Sequence, residues 1–227
     1  MKHLTTLLAS ALLGVAAFSA NAANIIWQGP QVISASTDVS TQGTLFTAKS
    51  TGGAYTVNGV FFDPGAANFT ESFNTGAVGF MNGQTFIGTN DTDGQNYAGL
   101  MNIAHLFNPD SNAQATITFS NLTINQQYLV QLWVADYRGF PNDRWLNLTG
   151  GANTSGQLKF LDSDNSNGGI HGSYVIGTFI ADATSQAILI DSNDSTQMQA
   201  VQLRVIPEPS AALLGGLGML CLLRRRR

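Results

Sequence analysis

The chain has 227 residues, with 10 basic and 14 acidic side chains and a single cysteine, which fits one domain of ordinary size. From Ala23 to Val205 five basic residues stand against thirteen acidic ones, a net charge of −8. This excludes nucleic acid and anionic lipid as partners of that stretch, because both require a basic face.

The first 22 residues read as a secretory signal peptide. Lys2 and His3 make a weakly basic start, and Leu4 to Phe18 is apolar with only Thr, Ser and Gly breaks. Ala20-Asn21-Ala22 then gives the small-x-small pattern of a cleavage site, with Ala20 and Ala22 as its small residues. The run is too short for a comfortable membrane span. Export through the Sec machinery and cleavage by signal peptidase follow, and an uncleaved N-terminal anchor is the alternative. The only cysteine, Cys221, lies far beyond, so residues 23–205 hold no disulfide. Their stability rests on a buried core, which about 180 residues are able to supply.

That middle stretch has the pattern of an all-β domain. Short runs rich in Val, Ile, Thr, Tyr and Phe alternate with Gly/Asn/Asp/Ser clusters. The expected strands are 24–28, 31–35, 44–49, 55–61, 85–88, 115–119, 128–137, 144–148, 158–161, 173–180, 187–191 and 200–205. Turn signals stand at Thr51-Gly52-Gly53, Asn58-Gly59, Asn82-Gly83, Asp93-Gly94 and Asn167-Gly168-Gly169. Tyr97–Phe107 is ambiguous. Leu100, Ile103, Ala104 and Phe107 fall at helical spacing and Asn108-Pro109 would stop a helix, so a short helix or a turn is expected.

Side chains alternate between the faces of a strand. Tyr128, Val130, Leu132 and Val134 therefore form one core stripe, Val201, Leu203 and Val205 a second, and Tyr174, Ile176, Thr178 and Ile180 a third. More than eight strands without a long helix imply two packed antiparallel sheets in a jelly-roll-like sandwich. An up-and-down barrel is the rival, since it too buries alternating faces.

The opposite face of Tyr128–Tyr137 is the candidate ligand surface. Gln131, Trp133 and Tyr137 share it, with the two aromatics about 13 Å apart. Aromatic faces stack on sugar C–H groups, and Arg138, Arg144 and Trp145 follow in the adjoining loop. The competing reading is that another element covers Trp133, or that Arg138 and Arg144 pair with nearby Asp. Two oxygen-rich loops, Asp91–Asn96 and Asp162–Asn167, are candidate ligands for a structural calcium. Neither has the EF-hand pattern, and turn-forming Asp and Asn explain both as well. No cofactor is otherwise expected, and no catalytic residue is assigned. HExxH, CxxC, G-x-S-x-G and P-loop patterns are absent, and His105 and His171 stand far apart.

The chain ends in three parts. Ile206-Pro207-Glu208-Pro209-Ser210 is held extended by its prolines. Ala211–Leu223 is uncharged and would span roughly 20 Å as a single hydrophobic helix, short of the bilayer core of about 30 Å. Arg224, Arg225, Arg226 and Arg227 would stop it on the cytoplasmic side. By residues alone, the strip before the helix is either a protease-accessible motif or a plain linker.

The order of Pro207-Glu208-Pro209, apolar stretch and terminal arginines resembles a PEP-CTERM sorting signal. The resemblance implies a bacterial exopolysaccharide producer with an outer membrane. It also implies exosortase as partner, with Pro207, Glu208 and Pro209 as the recognised substrate motif. A weaker resemblance covers Asn121–Arg138 and Tyr174–Arg204. These are similar to segments of uncharacterised PEP-CTERM proteins whose domains look like carbohydrate-binding or galactose-binding-like sandwiches.

The expected organisation is a signal peptide over 1–22, a β-sandwich over 23–205 and a sorting signal over 206–227. The expected protein passes transiently through the inner membrane and then resides in the periplasm, at the cell surface or in the matrix. It is a non-enzymatic envelope or matrix protein with exopolysaccharide as its candidate ligand. The alternative is a secreted carbohydrate-active enzyme using a carboxylate pair.

Overall fold

The computed structural model describes residues 22–64, 69–71, 77–79, 91–108, 114–136, 144–160 and 172–207. Expectations for residues 1–21, the strand at 85–88, the loop Asp162–Asn167 and the tail from Glu208 onward lie outside these residues. In chain order the strands are β1 (Ile26–Trp27), β2 (Gln31–Val32), β3 (Thr44–Ser50), β4 (Tyr55–Val57), β5 (Val60–Phe62), β6 (Phe69–Glu71), β7 (Ala77–Gly79), β8 (Ile103–Asn108) and β9 (Gln114–Ser120). They continue with β10 (Gln127–Val134), β11 (Trp145–Gly150), β12 (Asn153–Thr154), β13 (Leu158–Lys159), β14 (Ser173–Ile180), β15 (Ser185–Ser192), β16 (Thr196–Met198) and β17 (Ala200–Ile206). One 3-10 turn covers Ser36–Asp38, and the helix α1 spans Thr92–Met101.

Among the described residues, two six-stranded antiparallel sheets make up most of the domain. The first has the order β1-β14-β10-β17-β3, with β2 also on β14. The second runs β12-β11-β15-β9-β6, with β13 also on β11. From β9 onward the chain repeatedly changes sheet: β9, β11, β13 and β15 belong to the second, and β10, β14 and β17 to the first. Apart from the β11–β12 hairpin, neighbours within these two sheets are therefore not consecutive strands. This connectivity replaces the rival up-and-down barrel, in which consecutive strands would pair.

The inner faces share one core. Tyr128, Val130, Leu132, Val134, Val201 and Leu203 come from the first sheet, and Ile117, Phe119, Leu146, Leu148, Ile188 and Ile190 from the second. Two of the expected stripes are here, although Val205 is only partly buried against the cluster. Each fully buried aliphatic or aromatic side chain contributes about 1.5–3 kcal/mol through the area it removes from water. Tyr128 stacks on Phe179 at 5.5 Å and meets Phe46 edge-on at 5.7 Å.

The third expected stripe has the opposite phase. Directly paired residues in an antiparallel ladder share a face. Leu132 pairs with Val175, Val130 with Gly177 and Tyr128 with Phe179, so Val175 and Phe179 point into the core. Tyr174, Ile176, Thr178 and Ile180 face outward, and Ile180 is 60% exposed. Gly177 misleads the alternation because it places no side chain on the inner face. A Cβ there would lie 2.5 Å from Ile25 Cγ2 and 2.6 Å from Trp27 Cε3, so its smallness admits the β1 segment.

Two local expectations are also corrected. The strand expected over Tyr55–Phe61 is a hairpin, β4–β5. Asn58 and Gly59 both have positive φ, 48° and 73°, as a two-residue type I′ turn needs. The ambiguous stretch divides into α1 and then β8. Asp91 caps the helix by accepting from Gly94 N at 2.7 Å. Among the described residues, no helix is long and apolar enough to cross a membrane.

The hairpin and α1 cover part of the outer face of the first sheet. Val57, Val60, Phe62, Tyr97, Leu100 and Met101 pack there against Ala48, Trp133 and Ala200 in a second buried cluster. The first sheet is thus a middle layer over this region. That explains why β10 is buried along nearly its whole length on both faces.

Candidate functional site

The expected ligand face is an interior face. Trp133 is fully buried; its Nε1 donates to Tyr97 Oη at 2.9 Å, and Phe62 meets its ring edge-on at 5.7 Å. Gln131 is fully buried as well. Its Nε2 donates to Asp38 O at 2.7 Å, and its Oε1 accepts from Ser40 N at 3.0 Å and Gln202 Nε2 at 2.7 Å. Both side chains are spent on protein partners, and this corrects their assignment to a sugar-contacting surface. Tyr137 and Arg138 lie outside the described residues.

Gln131 belongs to a polar ladder that fastens residues 38–43 across the first sheet. Gln202 Nε2 also donates to Ser40 O at 3.1 Å. Arg204 donates through Nε to Gln42 O at 2.8 Å and through its terminal nitrogens to Thr41 O, Gly43 O and Gln202 Oε1. Every one of these acceptors is neutral. Burial lowers the Arg204 pKa from its ordinary value, since desolvation disfavours the charged form. At the rim, desolvation and then the nearby Asp38 carboxylate raise the Tyr174 pKa.

Arg144 is buried in a different cluster. Its guanidinium pairs with Asp136, stands 2.9 Å from Asp194 Oδ2 through Nε, and donates to Ser195 Oγ at 2.7 Å. Gln197 Nε2 adds a bond to Asp136 at 3.2 Å, and the guanidinium lies 4.9 Å from the centre of the Phe160 ring. The competing pairing of Arg144 with Asp is therefore what the structure contains. Trp145 is half-buried on β11, and its backbone N and O hold Asn193 and Ser192. Among the described residues, no three His, Cys, Asp or Glu side chains come together as a metal site. Asp91 and Asp93, from one candidate calcium loop, bond the backbone N–H groups of Gly94 and Asn58.

Among the described residues, an open concave surface lies elsewhere, around Ala22, Ala23 and Asn24. One cavity of about 650 Å³ is bounded by Asn24, Thr116, Thr149, Gly151, Asp182 and Leu189, among others. A smaller one of about 380 Å³ adjoins Ile26, Gln127, Thr178 and Ile180. Ala23, Asn24 and Asp182 border both. The larger has hydroxyls from Thr116 and Thr149, a carboxylate from Asp182 and an apolar floor from Ala187 and Leu189. Such a lining suits hydroxyl-rich, uncharged ligands, with Leu189 available to C–H faces. These residues have no motif, since they come from four separate segments. The only sequence signal is the run of small and hydroxylated residues on the outward phase of β9, β11 and β15.

The fold is similar to that of solved structures. The extracellular domain of ANXUR2 from Arabidopsis thaliana superposes with a TM-score of 0.55 at 13% identity, over 73% of this chain and 49% of that one. The ANX2 ectodomain from the same plant gives a TM-score of 0.46 at 10% identity, over 74% and 54%. The chain thus spans about half the length of these structures. At such identities the likeness concerns the fold. No family model matches the chain, and no curated protein matches it.

Proposed function

We propose that the chain is an exported, non-enzymatic β-sandwich protein of a bacterial envelope or extracellular matrix, sorted through a PEP-CTERM signal. The observation that carries this reading is where β17 ends. β17 pairs along β10 up to Ile206, which faces Gln127, and the next residue, Pro207, is exposed. The expected recognition strip Pro207, Glu208, Pro209 therefore begins as the last strand among the described residues ends. Exosortase would grip this strip while the apolar segment sits in the inner membrane with Arg224–Arg227 on the cytoplasmic side. The ANXUR2 likeness supports the export reading, since that structure is an extracellular domain.

The strand orders support a jelly-roll reading. The order β3-β17-β10-β14 faces β9-β15-β11-β13, with the chain changing sheet between successive partners. Within this reading, the Thr116/Thr149/Asp182 groove is the surface offered to exopolysaccharide in place of the buried Trp133 face. Two experiments test the proposal. Replacing Glu208 with Ala should leave the full-length precursor in the membrane fraction, and normal processing would refute the sorting role. Thr116→Val with Thr149→Val should lower retention on the host's exopolysaccharide without changing the fold. Turnover of that polysaccharide would favour an enzyme instead.

A further inference from the structure

We infer that the N-terminus released by cleavage after Ala22 is a structural part of the sandwich, bound in a site built from Gln186 and Asp182. This rests on the reading that the leader is cut at that bond. Hydrolysis there leaves a carboxylate on Ala22 and an amine on Ala23, which is mostly protonated near neutral pH.

The residues following the bond are not a loose leader. Ala23 is 8% exposed and belongs to the main core cluster, as does Ile25, which is fully buried. Ile25 N donates to Gly150 O at 3.2 Å. Asn24 Oδ1 accepts from Ala152 N at 2.7 Å, and Ile25 O accepts from Asn153 Nδ2 at 3.1 Å. The chain is therefore already packed at the first residue after the expected cut. Glycines make room for it. A Cβ at Gly150 would lie 2.4 Å from Ile25 Cδ1, and one at Gly151 2.4 Å from Asn24 Oδ1.

The second observation is an unsatisfied acceptor beside Ala23. Gln186 is 1% exposed, and its Nε2 donates to Ala23 O at 3.2 Å and to Ala187 O at 3.0 Å. Its Oε1 is buried and has no hydrogen-bond partner among the described residues. A buried acceptor left in this state costs about 1–3 kcal/mol, so such atoms ordinarily have a donor. An amide at Ala23 has one N–H, whereas a terminal ammonium has three and turns freely about its bond to Cα. Asp182 borders both cavities that Ala23 borders and, among the described residues, supplies the only acidic side chain in either lining. Asn24, Thr116, Thr149, Gln127 and Thr178 are the neutral polar groups around it. The new ammonium would satisfy Gln186 Oε1 and face the carboxylate.

The arrangement also orders two events. A peptidase needs the Ala22–Ala23 bond extended and accessible, and docking buries Ala23. Cleavage thus precedes closure of this end of the sandwich, and the freed end then locks it.

The test uses the exported protein purified after leader removal. N-terminal sequencing should begin at Ala23, and a start elsewhere would overturn both the cleavage reading and this inference. The α-amine should react with an acylating reagent about tenfold more slowly than that of an Ala-Asn-Ile peptide, the effect of about one pKa unit. Inserting Gly-Ser between Ala22 and Ala23 should restore the peptide rate and lower the melting midpoint by roughly 3–6 °C. Asp182→Asn should also speed acylation without removing any packing. An Ala23 start with peptide-like reactivity and an unchanged midpoint in the insertion variant would overturn the inference and leave the cleavage reading standing.

Discussion

Replacing Trp133 with Ala separates the two accounts of this residue most sharply. A sugar-stacking surface tryptophan would be lost with its ligand affinity and little stability. The structure places Trp133 at 0% exposure between Phe62, Tyr174 and α1, with Nε1 bonded to Tyr97 Oη. Removing a buried indole costs about 3–5 kcal/mol through lost transfer energy and the cavity left behind. The Tyr97 hydroxyl also loses its buried donor, which adds on the order of 1 kcal/mol. Set against a total stability of about 5–15 kcal/mol, this is a severe defect. At about 2–4 °C per kcal/mol for a domain of this size, the thermal midpoint should fall by roughly 8–24 °C. Urea titration and thermal melting monitored by circular dichroism measure the free-energy loss and the midpoint shift, and Trp133→Phe should recover most of both. A loss below about 1 kcal/mol would refute the reading that α1 and the hairpin cover the first sheet.

Other variants probe the remaining structural claims. Gly177→Ala forces a Cβ against Ile25 and Trp27 and should cost about 1–3 kcal/mol, with amides of β1 exchanging faster by hydrogen–deuterium exchange. Asp91→Ala removes the cap on Gly94 N and should cost about 1 kcal/mol, with Asp91→Asn restoring most of it in the same denaturation assay. A native pKa raised above 10.0 at Tyr174 means the folded state holds that proton more tightly than the unfolded chain. Stability from this source is complete below pH 10 and falls as pH rises further. The slope above that point should be shallower in Tyr174→Phe than in the wild type.

The sequence made the strands legible where alternation and turns agreed. Ser173–Ile180 was found to the residue, and the inward phase of Tyr128–Val134 was correct. The outer layer was not legible as such, because alternation assigns a strand two faces without saying what lies on either. Leu129 and Trp133 already made the second face of β10 apolar, and that is the signature of a strand buried on both sides. Gly177 hid the phase of β14, since glycine carries no polarity to read. Helix α1 starts with Thr92-Asp93-Gly94, residues of low helix propensity, so its cap resembled a turn. The groove around Thr116, Thr149 and Asp182 was invisible because its residues are distant in sequence and individually ordinary.

Intact mass spectrometry of the protein recovered from whole cultures tests the central claim most directly, because it reads both ends of one molecule. The account requires an N-terminus at Ala23 and a C-terminus lacking Arg224–Arg227, recovered outside the cytoplasm. Recovery of an uncut polypeptide from Met1 to Arg227 in the cytosolic fraction would contradict it.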